Sequence, residues 1–282
     1  MVESDILFTY KANMSKQAHL QSWFIAPIRY KSLLREFIYQ DINTRFANSI
    51  GGLLWTVINP LVTILIYVFI FSVIMKMRVS LSETGTDQFA VYLLAGLLPW
   101  MAFADAFGRS TGLLLEKSSL ITKVAFPVHI LPYAGAMVAY ILNGIGFGLF
   151  LLYLLFNGYL AWTWWLLPLV LGLQFLFTMG LVAFSAAICV FLRDLQQVFA
   201  LLLSVWFFLT PIIYPLSMVP DSYRAWFYLN PFYFFVELYR QLLLRQHLDV
   251  HHLLIVSLVS LCVFVLGGWF FMRIQRSFGD VL

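Results

Sequence analysis

Glu237 and Arg240 stand three residues apart in NPFYFFVELYRQLLL, a spacing that puts a carboxylate and a guanidinium on one helix face and predicts that they pair in apolar surroundings. Asp105, in PWMAFADAFG, is a second acidic residue among apolar neighbours, and Asp194 sits in the charged string RDLQQ. Acid–base chemistry needs such groups to converge at one place. These three lie in three separate segments, which argues against a catalytic centre, and interfacial solvation accounts for Asp105 more simply than a proton relay. His19, His129, His247, His251 and His252 lack partnered Cys or His at metal-ligand intervals. Cys189 and Cys262 each sit in an apolar run and read as small hydrophobes. The chain has no GxxxxGK[ST] loop to cradle nucleotide phosphates. The string GIGFG lies inside an apolar run rather than after a strand, so Gly144 and Gly148 read as a small-xxx-small pair for close helix packing.

The elements that must position these residues are membrane helices. With 282 residues, 62% hydrophobic, 11% charged and a mean hydropathy of +0.89, the chain carries more apolar surface than one soluble core uses. Spanning a bilayer takes about 20 apolar residues per helix, and six stretches qualify, at 53–75, 89–108, 128–156, 164–191, 197–214 and 252–272. They are too long and unbroken for barrel strands, so the expected fold is an all-α polytopic membrane protein of six transmembrane helices. Residues 1–26 contain Glu3, Asp5, Lys11 and Lys16 without an apolar core, unlike a cleavable signal. Placing both termini in the cytoplasm puts 12 of the 17 Lys and Arg residues on that side, in keeping with the positive-inside rule. The net charge of +4 calls for no nucleic-acid partner.

Three segments outside the spans stand out. Leu34, Ile38, Ile42 and Phe46 recur every four residues, with Leu33 and Phe37 alongside, which predicts an amphipathic helix along the cytoplasmic interface. Gly51 and Gly52 then allow a sharp change of direction, and Asn59–Pro60 is expected to kink the first span. Between 109 and 127, Leu113, Leu114, Leu120 and Ile121 mix with Glu116, Lys117 and Lys123; the segment either presents a short helix to a soluble partner or folds under the bundle. From 214 to 250 the chain is too Pro-broken to span and too aromatic for an ordinary loop. A re-entrant pair of helices between the fifth and sixth spans fits both facts, with corners at Pro211, Pro215, Pro220 and Pro231.

Taken together, REFIYQDINTRFANSIGGLLWTVINPL, YLLAGLLPW, LITKVAFPVHILP, RDLQQV, FFLTPIIYPLSMVP, NPFYFFVELYRQLLL and the ending RIQRSFGDVL resemble the membrane subunit of type-2 ABC exporters for polysaccharides. That family includes permeases for O-antigen, capsule and wall teichoic acid. The resemblance covers about Arg29 to Leu282 and implies a domain plan: an N-terminal extension at 1–27, a cytoplasmic interface helix at 28–52, and a transmembrane domain at 53–282 carrying a coupling segment at 109–127 and an external gate at 214–250. Contact with a separate nucleotide-binding ABC ATPase, which would hold the ATP and Mg, falls to Arg35, Asp41, Arg45, Leu120, Ile121, Lys123 and Phe126. Trp55 and Asn59 of the first span, Trp100, Phe103, Phe207, Phe208 and Tyr214, and the gate residues Glu237 and Arg240 would line the channel or gate. Two copies would face each other around one path for a lipid-linked polysaccharide in a bacterial inner or plasma membrane. Asn43, Ala47, Asn48 and Asp105 depart from the family's usual pattern.

The residues themselves leave other classes to weigh. An enzyme acting on a polyprenyl-linked sugar would need convergent acids, and a secondary transporter would show repeated halves; neither is present in the sequence. The resemblance therefore implies a transport permease rather than an enzyme, moving an undecaprenyl-linked glycan closest in kind to O-antigen, with teichoic acid or capsule as the alternatives. The 18% aromatic content suits sugar rings sliding over aromatic faces, although lipid contact or packing is the better explanation of any single ring.

Overall fold

The computed structural model describes residues 16–46, 51–123 and 126–282, and its regular structure is helical throughout, apart from one isolated antiparallel bridge between Arg78 and Gln88. Residues 1–15 of the expected extension, Ala47 to Ile50 in the junction, and Val124 and Ala125 of the expected coupling segment lie outside the described residues. Helix α1 (Lys16–Arg29) and α2 (Lys31–Phe46) come first, so the expected boundary at 27/28 falls inside a helix. Gly52 adopts φ +47, a left-handed turn that leads into α3 (Trp55–Val68), which continues as a π-helical stretch to Ile74. The short α4 (Leu81–Thr84) precedes α5 (Phe89–Glu116), followed by α6 (Ser118–Lys123), α7 (Ile130–Phe156) and α8 (Leu167–Phe191). Helix α9 (Leu195–Leu209), α10 (Asp221–Phe227), α11 (Pro231–Arg240, with a π-helical turn to Arg245), α12 (Val250–Ile274) and α13 (Phe278–Val281) complete the chain.

Among the described residues, five helices are long and apolar enough to cross a membrane: Trp55–Ile74, Phe89–Glu116, Ile130–Phe156, Trp162–Phe191 and Val250–Ser277. The fifth apolar run is shorter than its hydropathy suggests. Expected to reach 214, α9 stops at Leu209 because Thr210 takes an extended ψ of 130 immediately before Pro211. Its 15 residues extend about 22 Å, short of the roughly 30 Å of a hydrocarbon core. The second run errs the other way. Helix α5 continues past 108 to Glu116, with Ser110, Thr111, Gly112 and Leu114 buried, so the first half of the expected coupling segment belongs to the α5 rod.

Helix α5 is the hub: 83% of its most apolar stretch is buried, against 6% for α3 and its continuation to Ile74. Around it Trp100, Phe103, Phe177, Phe232 and Phe235 form one aromatic core, and Trp23, Tyr133, Phe264 and Phe271 form a second at the end bearing α1 and α2. Helices α8 and α12 cross where Gly180 and Gly267 meet backbone to backbone; a Cβ on either would overlap the other helix's main chain. The expected Gly144–Gly148 packing pair is not a contact. Nothing lies within 4 Å of where either Cβ would be, and both residues line an open apolar cavity. It is Gly146, between them, that admits a neighbour, Pro60 of α3.

Candidate functional site

Helix α2 is docked by both faces of its amphipathic pattern. Leu34 is buried, Leu33, Phe37 and Ile38 pack on the second core, and the Phe37 ring lies 6.1 Å from Phe126. Sequence reasoning passed over the strongest anchor at this end, Trp23 of α1. It is fully buried, its carbonyl accepts the Tyr133 hydroxyl at 3.1 Å, and its ring fills the space above Gly268. The apolar string Trp23 to Ala26 was the available signal.

Polar residues on α2 point in as well as out. Asp41 lies 3.7 Å from Arg45 and 3.4 Å from Arg109 of α5, and Arg45 lies 4.0 Å from Asp105. Asp105 also accepts from the Asn143 amide at 3.1 Å, so protein groups, not solvent alone, hold it. Burial and then the Arg109 charge push the Arg45 guanidinium below its ordinary pKa, while Asp105 and Asp41 pull it back. Asp41 and Arg45 thus clamp α2 to α5. Arg35 and Lys123 are exposed and Leu120 half-buried, while Ile121 and Phe126 are half-buried and pack on the second core. Asp41→Asn should loosen the clamp by no more than about 1 kcal/mol, as expected for a partly exposed pair. Amide exchange across 31–46 should then quicken up to about fivefold, and unchanged exchange would show the pairs carry no docking energy.

At the opposite end, α10 and α11 fold back against the terminus of α9. Asn230 joins them with all four of its capacities used: Oδ1 accepts from Trp206 Nε1 at 2.7 Å and Phe232 N at 3.0 Å, and Nδ2 donates to Thr210 Oγ1 at 2.8 Å and the Leu209 carbonyl at 3.2 Å. Asn230→Asp keeps the shape and loses both donations, so its melting temperature in detergent should fall by the equivalent of about 2–3 kcal/mol. A melt matching the parent would mean that water replaces the amide.

The expected Glu237–Arg240 pair does not form. Glu237 pairs with Arg245, across the π-helical turn that widens the end of α11. Arg240, 1% exposed, donates instead to the carbonyls of Pro211 at 2.8 Å and Ile212 at 2.7 Å, and its guanidinium lies 3.6 Å from the centre of the Tyr92 ring. Those carbonyls follow the C-terminus of α9, where a helix presents partial negative charge, and they take the place of a carboxylate.

The proposed lining residues separate into two groups. Trp100 and Phe103 are buried inside the aromatic core, their rings 4.8 and 4.7 Å from Phe232. Phe207 is half-buried against Trp100, Phe208 is exposed, and the Tyr214 hydroxyl donates to the Phe208 carbonyl at 2.7 Å. Trp55 and Asn59 are exposed on α3. Gln174, also missed, ties three helices from the interior: its amide donates to the Pro99 carbonyl at 2.8 Å and its oxygen accepts the Tyr239 hydroxyl at 2.6 Å. A lone Gln within LGLQFLFT was its signal.

Fold and site together define a multi-pass helical membrane protein with a docked amphipathic helix at one end and a folded-back helical pair at the other. Residues 33–244 match the family described as ABC-2 type transporter, and the chain belongs to that family. It is 31% identical over 258 residues to the O-antigen export system permease protein RfbA of Myxococcus xanthus, covering 89% of this chain and 96% of that protein. A protein of the same description from Klebsiella pneumoniae is 27% identical over 86% of this chain and 92% of its own length. The polysialic acid transport protein KpsM of Escherichia coli is 25% identical over 83% and 91%, respectively.

Proposed function

We propose that this chain is the permease subunit of an ATP-driven exporter that moves an undecaprenyl-linked, O-antigen-like polysaccharide across a bacterial inner or plasma membrane. The observation that carries this reading is similarity along nearly the full length of permeases described by O-antigen export, at 31% identity for the first, with a weaker likeness to a polysialic acid transporter. In this reading the chain holds no cofactor and is not an enzyme. ATP and Mg belong to a separate ABC ATPase, which docks on the face around Arg35, Leu120, Ile121, Lys123 and Phe126. Both termini lie in the cytoplasm.

The membrane topology follows from satisfying the backbone. Helix α9 is too short to cross alone, so the fifth crossing is completed by the irregular chain at 210–214, and α10 with α11 form the re-entrant gate. Non-helical backbone at membrane depth requires protein partners, and Asn230 and Arg240 supply them. The exposed apolar faces of α3 and α9 suit a second copy and the lipid tail of the substrate.

The test is purification from the native host. A soluble ATPase should co-purify, and Lys123→Ala and Phe126→Ala should lower polysaccharide export several-fold at unchanged expression. Recovery of a lone chain that turns over a glycan lipid without nucleotide would sink the export reading; undiminished export in both variants would remove the 118–127 segment from the contact.

A further inference from the structure

A cavity of about 240 Å³ with charged side chains in its wall opens at the end of the bundle away from α2, between α4, the start of α5 and the folded-back pair. Its walls include Glu83, Tyr92, Ser217, Tyr233, Glu237 and Arg240. It is smaller than the roughly 300–1,000 Å³ of sites for drug-sized ligands, which limits an occupant to about one sugar ring.

The chemistry of an occupant follows from which bonding capacity is already used. Arg240 donates to backbone carbonyls through Nε, Nη1 and Nη2, and Arg245, also on the wall, pairs with Glu237 through Nη1, so each guanidinium keeps unused N–H groups. Ser217 donates its hydroxyl to Glu83 at 3.1 Å. Among the described residues, the hydroxyls of Tyr92 and Tyr233 make no hydrogen bond, and Glu83 and Glu237 each retain one carboxylate oxygen without a donor. What remains is two hydroxyls, two carboxylate acceptors and the unused N–H groups of the arginines, around a charge set that sums to zero, two glutamates against two arginines. An anion would meet the two carboxylates beside those N–H groups, and a cation the two guanidinium groups, so neither gains a net attraction. A ring bearing several hydroxyls can donate hydrogen bonds to the carboxylates and accept them from the tyrosines and the arginine N–H groups.

The geometry points to a binding site for one neutral hexopyranose unit at this mouth of the protein. It rests on the export reading and extends it: in that orientation the mouth faces outward, and a sugar of the departing polymer is held beside the gate helix that carries Glu237 and Arg240.

The purified full-length protein in lipid nanodiscs is probed by saturation-transfer NMR with the methyl glycosides of glucose, galactose and mannose, and with methyl glucuronide and inorganic phosphate as anionic probes. At least one neutral glycoside should receive transfer, and the signal should fall at least fivefold in the Y92F/Y233F double variant. Neither hydroxyl holds another residue, so the double variant should melt with the parent; if it does not, each single variant serves in its place. Absence of transfer to every neutral glycoside, transfer equal in parent and variants, or stronger transfer to an anionic probe overturns the site. In cells the two readings fail separately. A deletion strain that still displays its polysaccharide refutes export, whereas lost display on deletion, with no glycoside transfer to the purified protein, refutes the sugar site alone.

Discussion

Replacing Arg240 by leucine is expected to cost the fold about 3–5 kcal/mol, the range for removing one partner from a buried charged network. The side chain is 1% exposed and its two terminal nitrogens hold the carbonyls of Pro211 and Ile212. Leucine fills much of the volume and bonds neither carbonyl, and each orphaned carbonyl costs about 1–3 kcal/mol. Desolvating a guanidinium is itself unfavourable, so part of that loss is returned. The cation lies against the carbonyl-bearing end of α9 and the Tyr92 ring, both of which favour positive charge, so the net effect remains a loss. Lysine restores a charge without the fork that reaches two carbonyls at once, and Arg240→Lys should recover less than half of the loss. Arg245→Leu is the contrast: its pair with Glu237 is partly exposed, and its loss should cost about 1 kcal/mol or less. Thermal unfolding in detergent ranks the three. Equal melting temperatures for Arg240→Leu and the parent would mean that the break after α9 is held by something other than this side chain.

Gly267→Val should be as damaging, for a steric reason. Its Cβ would fall on the Gly180 carbonyl, which is main chain and cannot swing aside, so α8 and α12 must separate along their crossing. Overpacking of this kind costs about 1–3 kcal/mol where side chains can yield; with backbone on both sides the expected loss is at least about 3 kcal/mol. Gly180→Val should behave in the same way, from the other helix. Gly144→Ala and Gly148→Ala meet open space, and exchanging glycine for alanine in a helix favours the fold by about 0.5–1 kcal/mol. Folded yield and melting temperature should therefore split the four variants into two pairs. A damaging Gly144→Ala beside a tolerated Gly267→Val would reverse the assignment of which glycines mark a helix crossing.

Much of the plan was legible in the chain. The apolar runs behind α3, α5, α7, α8 and α12 were readable to within several residues, the period of Leu34, Ile38 and Ile42 marked α2, and the prolines between 211 and 231 marked the folded-back pair. The errors share one cause. Glu237 was matched to Arg240 because three residues make one helical turn, whereas the chain widens into a π-helical turn and sends Arg240 to a carbonyl that is 29 residues away in sequence. Likewise GIGFG had the spacing of a packing motif, but the bundle placed Gly146, not Gly144 or Gly148, against a neighbour.

By itself the sequence determined that this protein is helical and membrane-embedded, and where most of its long helices run. Only the tertiary structure decided that α5 is central and α3 peripheral, that Trp23 anchors the N-terminal pair, and that two glycines 87 residues apart set the tightest crossing. Hydropathy and helix period are properties of a residue and its near neighbours, and both lipid and protein interior satisfy an apolar side chain equally well. Which of the two a side chain meets depends on shape and on the few polar groups that must find partners, and those are relations between distant segments.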